Sequence, residues 1–201
     1  IDDVFSQFSE PIAAASIAQV HFAKIKSSNT EIDVAVKVLR PEIEKIINQE
    51  MERLEWLTTF MENFTEFQRL RPNSIIKKAK EVIKFELDLR YEAAAASELS
   101  ENTNMDESFY VPKVYWDKVT QKILTMEKII GVPADKIDEL NEKKVNKKQA
   151  AENLIINFLR QSIRDGYFHA DLHQGNLFLN PKGKLLACLL YTSDAADDVE
   201  C

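Results

Sequence analysis

Four side chains that could take part in phosphate chemistry lie close together toward the end of the sequence. They are His169, Asp171, His173 and Asn176, in the stretch GYFHADLHQGN. A carboxylate can accept a proton from an attacking hydroxyl group, and an amide oxygen is a ligand that suits Mg²⁺. A strand here would instead place the two histidines and Asp171 on one side, as ligands of a metal ion. A predicted helix just before these three residues and Asn176 just after them favour a catalytic loop.

A lysine on a predicted strand could bind the phosphate groups. In residues 31–39 the branched residues Ile32, Val34, Val36 and Val38 take one face of the strand, so Ala35 and Lys37 share the other. The preceding stretch, AAASIAQV, is predicted to form a turn between strands above this face. It supplies the candidate phosphate-loop residues Ala13, Ala14, Ala15, Ser16, Ile17, Ala18 and Val20. Alanine side chains keep such a loop further from a ligand than glycines would.

Helices are predicted by apolar residues that recur every three or four positions. The first covers residues 42–67, and the second runs from residue 75 to about residue 98 and carries Glu86, Asp88 and Glu92. Short strands are predicted around residues 113–116 and 122–128. A third helix has the apolar positions Ala151, Leu154, Ile155, Phe158, Leu159 and Ile163 and ends at Gly166, and residues 180–183 turn the chain between two strands.

The composition of the 201 residues excludes several classes of protein. A hydrophobic content of 45% with only 4 Gly and 6 Pro is typical of a globular chain. The net charge of −7, with basic and acidic residues interspersed, argues against nucleic acid as a partner. The two cysteines, Cys188 and Cys201, fit a reducing compartment, and no apolar run reaches the roughly 18 residues of a membrane span.

The motifs together resemble the UbiB family of atypical kinases, which is associated with ubiquinone biosynthesis. The resemblance rests on PIAAASIAQVH, VAVKVLRPEI, FELDLRYEAA and GYFHADLHQGN, in that order. It implies an α+β, two-lobed protein-kinase-like fold whose N-lobe has an antiparallel sheet and long helices. It also implies ATP and Mg²⁺ as cofactors, ATPase or phosphotransfer chemistry, and a cytoplasmic protein peripheral to the inner membrane. Partners would be quinone-biosynthesis proteins or lipid at a membrane surface.

The resemblance also assigns roles to individual residues. Lys37 would bind the α and β phosphates and Glu92 would hold it by an ion pair, since Glu86 and Asp88 form a separate E-x-D motif. Asp171 would be the catalytic carboxylate and Asn176 the metal ligand. Ala35 would be one of the nucleotide-binding residues, Met126 would be the gatekeeper, and the backbone of Glu127 and Ile129 would face the adenine. Lys37, Asp171 and Glu92 are thus the predicted catalytic residues.

Two parts of the family pattern do not occur in the sequence. The K-x-G-Q motif is absent, and the strand from residue 184 is not followed by D-F-G. We predict an N-lobe at residues 1–127, the start of a C-lobe at 128–187 and a non-native tail at 188–201. We expect the 201-residue chain to be inactive and the apolar residues of the helix around residues 150–163 to be uncovered. A small-molecule phosphotransferase of the aminoglycoside or choline kinase type and a nucleotide-binding scaffold remain the alternatives.

Overall fold

The computed structural model describes residues 4–14, 16–27, 30–167 and 174–187. The strands are β1 (Phe5–Ala14), β2 (Ala18–Ser27), β3 (Thr30–Leu39), β4 (Phe109–Tyr110), β5 (Ile123–Glu127), β6 (Val132–Pro133), β7 (Leu177–Leu179) and β8 (Leu185–Ala187). The α-helices are α1 (Ile43–Met61), α2 (Thr65–Gln68), α3 (Pro72–Glu86), α4 (Leu89–Asn102), α5 (Ile137–Glu142) and α6 (Lys147–Leu159). A 3₁₀ turn covers Trp116–Lys118, a π-helix covers Arg160–Asp165, and a second 3₁₀ turn covers Gln174–Asn176.

The first sheet has the order β1-β2-β3-β5 and is antiparallel throughout. The two faces of β3 differ as its alternation predicts. Val34 and Val36 pack into a cluster on one face, whereas Ala35 belongs to the main core on the other. The sheet therefore separates a small apolar cluster from the core that carries the predicted site.

Two helix predictions are wrong in their extent. The first helix ends at Met61 rather than at residue 67, and a turn separates it from the short α2. The helix predicted from residue 75 to about residue 98 is two helices, α3 and α4. The helix is interrupted between them because the Asp88 side chain accepts a hydrogen bond from the Arg90 backbone N–H. Asp88 is thereby the N-cap of α4.

The second sheet has the order β4-β8-β7-β6, with β4 parallel to β8. The predicted turn at residues 180–183 joins β7 to β8, which pair as an antiparallel hairpin. Gly183 lies in this turn with φ 80°, a conformation that favours glycine. The predicted strand around residues 113–116 is wrong, because that stretch contributes only an isolated bridge between Val114 and Met126.

The third predicted helix is α6 followed by the π-helix, and it ends at Gly166 (φ 64°) as predicted. Its apolar stripe faces solvent: Ile163 is 80% exposed, and the other exposed apolar side chains are Ile155, Ile156, Phe158 and Leu159. The buried positions of α6 are Ala150, Asn153 and Asn157, so its buried face is largely polar. Asn153 Nδ2 donates to Gly183 O at 2.8 Å, and Asn157 Nδ2 donates to Ser108 Oγ at 2.9 Å. The amides therefore connect α6 to the second sheet.

A second exposed apolar surface lies on α1 and α3. Trp56 is 72% exposed and stacks on Phe60, and Ile75 and Val82 are exposed on α3. The two helices contact each other through Thr58 Oγ1, which lies 2.6 Å from Asn73 Oδ1. Within the described ranges, none of the helices combines the length and the apolar character needed to cross a bilayer.

Candidate active site

The predicted ion pair between Lys37 and Glu92 is present. Lys37 Nζ lies 3.0 Å from Glu92 Oε1 and 2.9 Å from Oε2, although the two residues are 55 positions apart. Lys37 lies on β3 and is only 5% exposed, while Glu92 lies in the first turn of α4. The alternation of β3 turns the lysine to the core face of the sheet, and the N-cap at Asp88 starts α4 where Glu92 can reach it.

Burial raises the pKa of the Glu92 carboxyl above its ordinary value, and the carboxylate of Glu86 adds to the rise. The positive charge of Lys37 and its hydrogen bond act in the opposite direction. The pair is therefore a largely desolvated one, in which the effect of burial on the Glu92 pKa outweighs the opposing effect of Lys37. A lysine held in this way presents its ammonium group in a fixed position, as a phosphate site requires.

The two acids of the predicted E-x-D motif lie in different surroundings. The Asp88 carboxylate accepts hydrogen bonds from the Arg90 backbone and from the Arg90 guanidinium, at 2.9 and 2.6 Å for the latter. These hydrogen bonds lower the pKa of Asp88. Glu86 is exposed at the end of α3, near enough to Glu92 to influence its pKa. Asp88 thus caps a helix in this structure, and the role that the motif implies stays a prediction.

The strand register brings several of the predicted nucleotide-binding residues to one face of the first sheet. Val20 pairs with Lys37 on one side and with Ala13 on the other, and Ala35 pairs with Met126. Paired residues share a face, so these side chains form a continuous surface around the Lys37 ammonium. Ala13, Val20, Ala35 and Met126 are all buried in the main core, together with Ala18.

The alanine loop itself is described in part. Ala14 is the last residue of β1, Ser16 is exposed and Ile17 is half-buried, and Ile17 O accepts from the Arg40 backbone N–H at 2.9 Å. Ala15 lies outside the described residues. The connection between β1 and β2 is thus three residues long, and its backbone is joined to the end of β3.

The predicted adenine-facing segment follows β5. Met126 is fully buried, Ile129 packs against the main core, and Glu127 is the last residue of the strand. The Glu127 carboxylate accepts hydrogen bonds from the Tyr110 hydroxyl and from the Lys113 backbone N–H. The Glu127 side chain is thereby held toward β4. The contact of the Glu127 and Ile129 backbone with adenine stays a prediction.

The contact between Tyr110 and Glu127 gives a test by pH. Burial, and next the hydrogen bond to Glu127, raise the pKa of Tyr110 from 10.0 to about 12. Because the folded pKa is the higher one, the stability that this contact contributes is present below pH 10 and is lost as the pH rises toward 12. We expect Tyr110→Phe to remove this late step from an ultraviolet phenolate titration, and Glu127→Gln to move it to lower pH. A titration that Tyr110→Phe leaves unchanged would contradict the assignment.

The predicted catalytic loop is described only at its end. Asn176 is 3% exposed, closes the second 3₁₀ turn and directly precedes β7, which pairs with β6 and β8. Asp171, His169 and His173 lie outside the described residues, so their roles and the alternative metal site stay predictions. In the part of the chain that the structure describes, no group of three or more His, Cys, Asp or Glu side chains could hold a metal ion.

The sequence patterns did not predict a cluster of charged residues between the segment after α4 and the π-helix. Asp106 is buried and forms ion pairs with Arg160 and Arg164 of the π-helix. The two arginines are four residues apart, a spacing that places both on one side of a helix. That spacing was a signal in the sequence, but it did not show which acid the arginines would meet.

The fold and the buried lysine–glutamate pair define a kinase-like protein, and comparison with known proteins supports this. The sequence model of the ABC1 atypical kinase-like domain matches residues 1–190. The chain belongs to the ABC1 atypical kinase-like family.

Named relatives are consistent with this family. The chain is 40% identical over 184 residues to "Probable protein kinase UbiB" of Pseudomonas paraeruginosa, covering 90% of the chain and 34% of that protein. It is 41% identical over 182 residues to the protein of the same name from Pseudomonas entomophila, covering 90% and 33%. The chain thus spans about a third of the length of these relatives.

A solved structure has the same fold. It is described as the complex of Rv3197 and erythromycin from Mycobacterium tuberculosis. The two structures superpose with a TM-score of 0.71 at 27% identity, over 91% of this chain and 45% of that one. The predicted α+β kinase-like fold is thereby confirmed, whereas the division of the chain at residue 127 stays a prediction.

Proposed function

We propose that this chain contributes the nucleotide-binding part of a UbiB-type atypical kinase or ATPase that uses ATP and Mg²⁺. The observation that carries the proposal is the buried ion pair of Lys37 and Glu92 next to Val20, Ala35 and Met126. A buried ammonium group beside a small apolar surface fits the phosphates and the adenine of one nucleotide. The name of the relatives adds phosphotransfer as the reaction class.

The residues present fit such a nucleotide in their donor chemistry. Lys37 would neutralise phosphate charge, and the amide oxygen of Asn176 would be a hard ligand for the metal ion. When bound, Mg²⁺ would supply positive charge to the phosphate oxygens as the terminal bond breaks. Asp171 would orient or deprotonate the attacking hydroxyl group or water. Glu92 keeps the lysine in place and does not contact the reacting atoms.

We further propose a role in the biosynthesis of isoprenoid quinones such as ubiquinone, at the surface of the inner membrane. The support for this is the similarity to proteins named UbiB. Quinone-biosynthesis proteins or lipid would be the partners.

Nucleotide binding can be measured directly on the 201-residue chain by calorimetry with ATP, with and without Mg²⁺. We expect binding that Lys37→Met weakens by at least about tenfold, since one charge-assisted contact to phosphate is lost. Lys80→Met is the matched control, because Lys80 on α3 pairs with Glu55 on α1 at 3.1 Å and neither residue is among the predicted site residues.

A folded variant without the ion pair separates loss of binding from loss of structure. We expect the double variant Lys37→Met/Glu92→Leu to stay folded and to bind no ATP. Equal affinity of this variant and the unchanged chain for ATP would contradict the proposed function.

A further inference from the structure

Asp106 holds two arginines of the π-helix from a position just after α4. Its carboxylate is 4% exposed, whereas Arg160 and Arg164 are 46% and 43% exposed in their side chains. Arg160 Nη1 donates to Oδ1 at 3.1 Å, and Arg164 donates to Oδ1 at 3.1 Å and to Oδ2 at 2.8 Å. A buried carboxylate needs such partners, because its desolvation would otherwise cost several kcal/mol.

Three further hydrogen bonds join the same two parts of the chain. Arg164 Nη2 donates to Asn102 O, a carbonyl at the end of α4 that has no partner within the helix, at 3.1 Å. The Tyr167 hydroxyl donates to Ala95 O in the middle of α4 at 3.4 Å. Asn157 Nδ2 donates to Ser108 Oγ at 2.9 Å. The connection therefore covers the second half of α4 and the segment that follows it.

Each of the two connected parts carries or precedes residues of the proposed site. The α4 helix carries Glu92, which holds Lys37. The π-helix ends at Asp165, and the predicted catalytic residues Asp171 and Asn176 follow six and eleven positions later in the sequence. A rigid connection between them would fix the distance between the lysine and the catalytic loop, to which phosphoryl transfer is sensitive.

We propose that Asp106 is a positioning residue for the nucleotide site. By holding Arg160 and Arg164, it fixes the π-helix to the helix that holds Lys37 through Glu92. The proposal rests on the proposed function only for its consequence, which is the coupling between metal binding and nucleotide binding. The connection that Asp106 makes between α4 and the π-helix can be tested without that function. Arg164 also donates a hydrogen bond to Asp165. The hydrogen bonds to Asp165 and Asp106 raise the pKa of the Arg164 guanidinium group, so the arginine stays charged in any test.

The test is Asp106→Asn in the 201-residue chain, a change that keeps the shape and removes the charge. We expect hydrogen exchange of the backbone amides in residues 160–167 to rise by about tenfold or more, as local opening becomes easier, with the exchange of residues 89–99 unchanged. The affinity for ATP without metal should stay within about twofold, because the Lys37–Glu92 pair is untouched. The gain in affinity on adding Mg²⁺ should fall by roughly tenfold, as when a group supporting a metal ligand is lost.

Two variants separate positioning from a general loss of structure. Asp106→Glu keeps the charge and should restore most of the protection and of the Mg²⁺ effect. Asp117→Asn is the control, because the Asp117 side chain is 72% exposed and pairs with the neighbouring Lys118. This variant should change neither the hydrogen exchange nor the Mg²⁺ effect.

Where Asp106→Asn fails to fold, Arg164→Gln gives the second measurement, since it keeps the pair of Asp106 and Arg160. A uniform rise of exchange along the whole chain in a folded variant, or no rise in residues 160–167, overturns the proposal. Absence of ATP binding by the unchanged chain refutes the proposed function instead, and the exchange pattern then still decides whether Asp106 positions the π-helix.

Discussion

Replacing Lys37 by methionine is expected to lower the free energy of unfolding by roughly 3–5 kcal/mol at neutral pH. The Glu92 carboxylate would stay in its desolvated position without the ammonium group that lies 2.9 Å from it now. Breaking one side of a buried ion pair leaves a charge that neither water nor protein compensates. Denaturant unfolding of both proteins at several pH values measures the effect.

The loss should depend on pH in a defined direction. Burial already raises the pKa of Glu92 above its ordinary value of 4.5, and Lys37 opposes that rise, so the variant should have a still higher pKa. A raised folded pKa means that the folded state is favoured while the carboxyl group is protonated, below its unfolded pKa, and loses this advantage as the pH rises. The destabilisation should therefore be small in acid and largest at neutral pH.

Removing both charges should restore most of the stability. In Lys37→Met/Glu92→Leu no buried charge is left, and apolar replacements of buried ion pairs are often neutral or stabilising. Lys80→Met breaks the more exposed pair with Glu55, whose side chains are 31% and 37% exposed, and should cost at most about 1 kcal/mol. If Lys37→Met lowered the free energy of unfolding by no more than Lys80→Met does, the pair of Lys37 and Glu92 would not be desolvated.

The second large effect concerns turnover. The 201-residue chain is expected to release no phosphate from Mg-ATP, because the amide of Asn176 is neutral and the sequence lacks the D-F-G carboxylate that would balance the metal charge. A version continued through D-F-G should be active. Robust turnover by the 201-residue chain, abolished by Asp171→Asn, would show that the metal site is misassigned.

In the continued version the roles of the two loop residues should separate. Asp171→Asn should lower kcat by roughly 10²–10⁴, the usual contribution of a general base, with the affinity for Mg-ATP nearly unchanged. Asn176→Ala should instead weaken the binding of Mg-ATP, because it removes a metal ligand. Equal losses of binding in both variants would contradict this division of roles.

Local patterns in the sequence determined much of the fold. The alternation in β3 fixed which face carries Lys37, because consecutive side chains of a strand point to opposite sides. The helix end at Gly166 and the turn at Gly183 followed from a residue type that accepts positive φ. These features depend on near neighbours, so the sequence alone is enough to predict them. The choice of Glu92 as the partner of Lys37 came from the family resemblance.

The tertiary structure decided what depends on residues far apart in the chain. Periodicity predicted one helix across Asp88, but the Asp88 side chain caps a new one. Either face of α6 could have packed inward. The largely polar face does so, because Asn153 and Asn157 donate hydrogen bonds to Gly183 and Ser108 beside the second sheet. Asp106 meets Arg160 and Arg164, which lie 54 and 58 residues away, only after folding. The packing of distant elements decides which charged and amide groups become partners, and no local pattern in the sequence indicates those pairs.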